Sequence, residues 1–169
     1  MSDLRQQIER CARGRVCVMG LGNVDYGDDG FGVRLAEQLS AAGLGDVVIA
    51  GNRPERHIGR IAEHGFDHLI FLDAAEFGAE PGSVVFLNSG EMSARFPQVS
   101  THKMSLGLLA ALAESNGRLK AWLLGVQPES VKQCREMTPA MQQTLGVLKE
   151  LLQTVVSQSG KMLHARRVA

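Results

Sequence analysis

Short apolar runs alternate along the chain with longer stretches of helical periodicity, and turn residues separate them. Ser2 to Cys11 carries Leu4, Ile8 and Cys11 at helical spacing with charges between, so residues 1–14 read as an N-terminal helical extension. A first strand spans about Arg15–Gly20, where Val16, Cys17, Val18 and Met19 form the continuous apolar run of a strand buried on both faces. Phe31, Val33, Leu35 and Leu39 mark a helix from about Gly30 to Ala42, stopped by Gly43 and Gly45. Val47–Ala50 reads as a second buried strand, a helix with Ile58 and Ile61 inward follows, and His68–Asp73 is a third strand. Ser83–Leu87, set off by Pro81-Gly82, is a fourth, short enough to lie at an edge or run antiparallel. Asn88 to Ser100 lacks periodicity. Leu106, Leu108, Leu109 and Leu112 mark another helix, and Leu119–Val126 is the last strand. Thr138-Pro139 opens a final helix as cap and first-turn proline, with Met141, Leu145, Leu148, Leu151, Leu152, Val155 and Val156 at helical spacing. Residues 160–169 read as a mobile tail.

Strands alternating with helices predict an α/β fold: a single domain over residues 1–169, built on a mostly parallel twisted sheet of about five strands with helices on both faces. Right-handed crossovers place the carboxyl ends of the parallel strands along one edge. At 169 residues, such a domain buries roughly 70% of the surface of its unfolded chain.

Charge and composition narrow the function. Lys plus Arg and Asp plus Glu are both 18, which gives no global attraction to nucleic acid or to a membrane surface. The N-terminus has no apolar signal region and no run approaches a membrane span, so no membrane insertion and a cytoplasmic address are expected. The three cysteines, Cys11, Cys17 and Cys134, have no C-x-x-C spacing, which indicates neither a disulfide framework nor a zinc ribbon. Cys17 reads as a small buried hydrophobe. A monomer is expected.

Candidate chemistry concentrates at strand exits. Gly20, Gly22, Gly27, Gly30 and Gly32 crowd the loop after the first strand, and the acidic pair Asp28-Asp29 lies within it. One of the pair suits a helix cap. The other can turn away from the cap, toward the carboxyl end of a buried strand, where open α/β sheets keep their sites. A small nucleotide-binding α/β protein, suggested by Gly20-x-Gly22, is a disfavoured alternative, because Asp25 stands where the third glycine is needed and a pyrophosphate would meet two carboxylates. Asp73 ends the third strand on the same edge; a turn or capping role is equally open to it. His102 sits in Ser100-Thr101-His102, close before a helix start, a setting that also suits a surface or capping residue. Two carboxylates and an imidazole reaching one edge form a candidate divalent-metal site with positions left for water or substrate. The chain has no H-E-x-x-H and no G-x-S-x-G, so neither a zincin nor a serine hydrolase competes.

The run Gly20-Leu21-Gly22-Asn23, followed by Asp28-Asp29-Gly30-Phe31-Gly32, resembles the opening motif of the hydrogenase maturation endopeptidases. Leu72-Asp73-Ala74, Ser100-Thr101-His102 and Leu124-Gly125-Val126-Gln127-Pro128-Glu129 extend the resemblance along most of the chain, and Pro54-Glu55 resembles the branch serving hydrogenases of the formate-hydrogenlyase type. The resemblance implies an endopeptidase that removes the C-terminal extension from the large-subunit precursor of a nickel-iron hydrogenase. It implies Asp29, Asp73 and His102 as ligands to nickel delivered by that precursor, with no metal permanently bound. Many members of the family carry an aspartate at the end of strand two, where this chain has Ile49 or Ala50. A chaperone-like module that binds the metal-loaded precursor without cutting it is the alternative from another class.

Overall fold

The computed structural model describes residues 3–96 and 104–168, and for residues 159–168 the backbone alone. Helix α1 spans Leu4–Cys11, capped by Asp3, whose carboxylate accepts from Arg5 N at 3.2 Å. Strand β1 is Val16–Leu21, a 3₁₀ turn covers Gly27–Gly30, and α2 is Phe31–Ala41. β2 (Val47–Gly51), α3 (Glu55–Glu63) and β3 (His68–Ala74) follow, then β4 (Val84–Asn88) and α4 (Ser89–Arg95). The chain closes with α5 (Leu106–Ala113), β5 (Lys120–Val126) and α6 (Pro139–Val168).

The five strands form one sheet in the order β2-β1-β3-β5-β4, parallel throughout except for β4, which runs antiparallel to β5. Strand alternation divides the core into two layers. Val16, Val18, Ile70, Leu72, Leu124 and Val126 face α1, α2 and α6; Cys17, Met19, Leu69, Phe71, Ala121 and Leu123 face α3, α4 and α5. The expected α/β sheet with helices on both faces is what forms, and β4 is both at an edge and antiparallel. Among the described residues no helix is long and apolar enough to cross a membrane.

Three expectations are corrected. β2 is not a buried strand: it is the outer strand beside β1, and Ile49 is 47% exposed. An unbroken apolar run has the same appearance at a sheet edge as at its centre. The stretch from Asn88 is not wholly irregular, because Ser89–Arg95 is helical. Its signal is a capping box, Asn88 accepting from Glu91 N while Glu91 accepts from Asn88 N. Finally, Gly160 is not a boundary, since α6 continues through it to Val168.

At the amino end of β3, Trp122 Nε1 donates to His68 Nδ1 at 3.1 Å, and Phe86 stacks on the indole. An indole only donates, so Nδ1 carries no proton. Burial holds the His68 pKa below its ordinary value, partly opposed by Asp67. The unfolded chain therefore takes up this proton first as pH falls, so the contribution to stability is complete above the ordinary histidine pKa of about 6.5 and declines below it. His68→Gln is expected to flatten the decline in melting temperature below about pH 6.5. An unchanged slope would assign that decline to other groups.

Candidate functional site

The order of the strands creates one switch point. From β1 the chain passes along α2 to β2, then returns along α3, on the opposite face, to β3 on the other side of β1. Crevices at the carboxyl ends of strands that diverge in this way are where open α/β sheets bind ligands. Asp29 follows β1 and Asp73 lies at the end of β3, so both predicted carboxylates reach this edge, 6% and 2% exposed.

Glycines bring the two together. At Gly22, φ is 115°, and a Cβ there would lie 1.8 Å from the carbonyl oxygen of Asp29. The turn carrying Asp29 therefore folds directly onto the end of β1. Gly32, in the first turn of α2, fits between two strand ends: a Cβ would come 1.9 Å from Leu72 O and 2.5 Å from Leu21 O. In the sheet Gly20 is paired with Leu72, which makes Asp73 the next residue along β3. The first turn of α2, directly after the acidic turn, thus presses against the backbone that leads into Asp73. Asp29 is held by Asn23 N, which donates to its Oδ2 at 2.9 Å, and by its own N–H donating to Tyr26 O at 3.1 Å.

Neither acid caps α2. Its first flanking residue is Gly30, without a side-chain cap, and both aspartates lie within the preceding 3₁₀ turn. Asp28, fully buried, points instead at the segment after β5. Its Oδ2 accepts from Glu129 N at 2.9 Å and Ser130 N at 3.0 Å; its Oδ1 accepts from Thr138 N at 2.7 Å and from the Thr138 hydroxyl at 3.0 Å. Thr138, expected as a helix cap, donates both its N–H and its hydroxyl to this carboxylate. The return bond from Asp28 N to Ser130 O, with Cys134 N to Asp25 O, binds segment 129–138 to the acidic turn as a strap.

Gln127, 3% exposed, is a second buried polar residue that supports the site. Its Oε1 accepts from Phe77 N and Ala79 N at 2.9 and 3.2 Å, and its Nε2 donates to Glu76 at 2.9 Å. It braces the loop that leaves Asp73. The only signal in the sequence was its place in the run after the last strand, without a mechanism to go with it.

His102 lies outside the described residues, in the segment between α4 and α5. Among the described residues no three His, Cys, Asp or Glu side chains gather as a metal site. The structure brings Asp29 and Asp73 to one switch point and describes nothing of the third predicted ligand. Neither Cys11 nor Cys17 is a candidate nucleophile: burial pushes Cys11 up to about 11 and Cys17, also raised by Asp46, up to about 12, leaving both as thiols at neutral pH.

The sequence profile of HycI, hydrogenase maturation protease, matches residues 33–158, a stretch that includes Asp73 and His102 and begins just after the acidic turn. The hydrogenase 3 maturation protease of Escherichia coli is 35% identical over 114 residues, 66% of this chain and 71% of that protein. The hydrogenase 2 maturation protease of the same organism is 29% identical over 152 residues, covering 80% and 92%. Among solved structures, the [NiFe] hydrogenase maturation protease HycI of Thermococcus kodakarensis superposes with a TM-score of 0.74 at 31% identity, covering 85% of this chain and 92% of that one. The hydrogenase maturating endopeptidase HybD of Escherichia coli gives 0.72 at 27%, covering 86% and 94%. Matched along three quarters of its length and in its fold, the chain belongs to the hydrogenase maturation protease family and is a peptidase.

Proposed function

We propose that the protein removes the C-terminal extension of the large-subunit precursor of a nickel-iron hydrogenase, after nickel has been loaded into that precursor, and that Asp29, Asp73 and His102 complete the coordination of the arriving ion. The observation that carries this reading is the convergence of two buried carboxylates on the β1/β3 switch point of a maturation protease. Carboxylate and imidazole donors suit a divalent ion of intermediate softness. A client-borne ion acts as a Lewis acid, polarising the scissile carbonyl or lowering the pKa of a bound water. The precursor of a hydrogenase of the formate-hydrogenlyase type is the favoured client, in keeping with Pro54-Glu55 and with the hydrogenase 3 relative.

The test is a gel of purified precursor, with and without nickel, incubated with the protein. Trimming is expected only of the nickel-loaded form. Asp29→Ala and His102→Ala are expected to slow it by about 10²-fold or more, the loss of several kcal/mol of charge stabilisation in the transition state. Their melting temperatures should stay near that of the parent chain. Normal trimming by both variants, or equal trimming of metal-free precursor, removes the assignment.

A further inference from the structure

Resting on the proposed function, we infer that the precursor's C-terminal extension docks as an added antiparallel strand on the outer edge of β2, which among the described residues pairs with β1 alone, and that this delivers the scissile bond to Asp29 and Asp73. Val18 N donates to Asp46 O at 2.9 Å, which fixes Asp46 as facing β1. Alternation then turns the N–H and C=O of Val47 and Ile49 away from β1, toward the free edge. Ile49 is also the strand's exposed apolar side chain, 47% accessible. An edge strand with outward backbone groups and an exposed branched side chain is a template for another chain.

Continuity with the site selects this edge. Gly51, the end of β2, accepts from Gly22 N at 3.1 Å, and Gly22 packs on the backbone of Asp29. The opposite edge, β4, is two strands removed from β3. Its site-proximal approach is closed by α6, where the Thr144 hydroxyl donates to Gly82 O at 2.8 Å. Direction follows from topology. β2 runs toward the site, whereas residues beyond the cut leave it, so a segment lying on β2 runs antiparallel to it. The occupant is a stretch of about five extended residues, with an apolar or β-branched side chain opposite Ile49.

Ile49→Pro removes an outward donor and leaves the β1 ladder in place, because proline is tolerated on an edge strand where its nitrogen faces solvent. Its KM for nickel-loaded precursor is expected to rise about tenfold with little change in kcat. In a second measurement, the Asp29→Ala variant holds uncut precursor while amide hydrogen exchange is followed, and the Val47 and Ile49 amides are expected to become protected. If the parent protein trims the precursor, yet these amides stay unprotected and folded Ile49→Pro keeps its KM, the docking is overturned and the cleavage stands. If Ile49→Pro does not fold, the exchange pattern alone decides. A parent protein that fails to trim nickel-loaded precursor overturns the proposed function and this inference with it.

Discussion

Asp28→Ala is expected to lower stability by roughly 3–5 kcal/mol, whereas Asp29→Ala, one residue along, should lower it by only about 1 kcal/mol. Asp28 has no exposed surface and takes three backbone N–H groups and one hydroxyl, from Glu129, Ser130 and Thr138. Alanine leaves those donors without their acceptor in a site closed to solvent, each costing about 1–3 kcal/mol before the strap relaxes. Asn is a poor repair, because its amide nitrogen would face donors. At this chain length the loss corresponds to a drop of roughly 10 °C or more in melting temperature. Urea titration of the two alanine variants checks the contrast. Equal midpoints would mean that the strap is held by other contacts.

Gly32→Ala is the second large effect. A methyl group cannot be placed 1.9 Å from Leu72 O and 2.5 Å from Leu21 O, and both obstacles are backbone. α2 would have to lift from the ends of β1 and β3 together. Overpacking ordinarily costs about 1–3 kcal/mol, and with no flexible side chain to yield, the expected loss lies at or above the top of that range. The same movement separates Asp29 from Asp73, so trimming should fall even in molecules that remain folded. Gly59→Ala, in α3 with nothing within 4 Å, is the control and should gain about 0.5–1 kcal/mol from helix propensity. Chemical denaturation of the pair, followed by the trimming assay, reads both consequences; a Gly32→Ala protein as stable as its parent would contradict the packing argument.

What could be read in advance depended on whether a residue's partners were close to it in sequence. The glycine loop, Asp29 and Asp73 were legible because strand periodicity and strand exits are local signals, and the parallel sheet then places those exits on one edge. The edge position of β2 was not, since which strand ends outermost is decided by pairing between β1 and β3, not by Val47 to Ala50 themselves. α4 was legible in principle through Asn88 and Glu91, but its short helix has Met92 as its buried residue and so shows no periodicity. Asp28 looked like a cap because its true partners lie 101 to 110 residues further on. Nothing in the residues beside it records them.

That separation bears on the order in which the molecule matures during synthesis. As the nascent chain leaves the ribosome, β1 and α2 emerge early, yet the groups that satisfy the Asp28 carboxylate are translated only when Thr138 is reached. Until then the carboxylate has no protein donors to replace its water, so burying it is unfavourable and the turn stays hydrated. Order in the acidic turn, and with it competence to meet a client, is thereby coupled to translation of the strap.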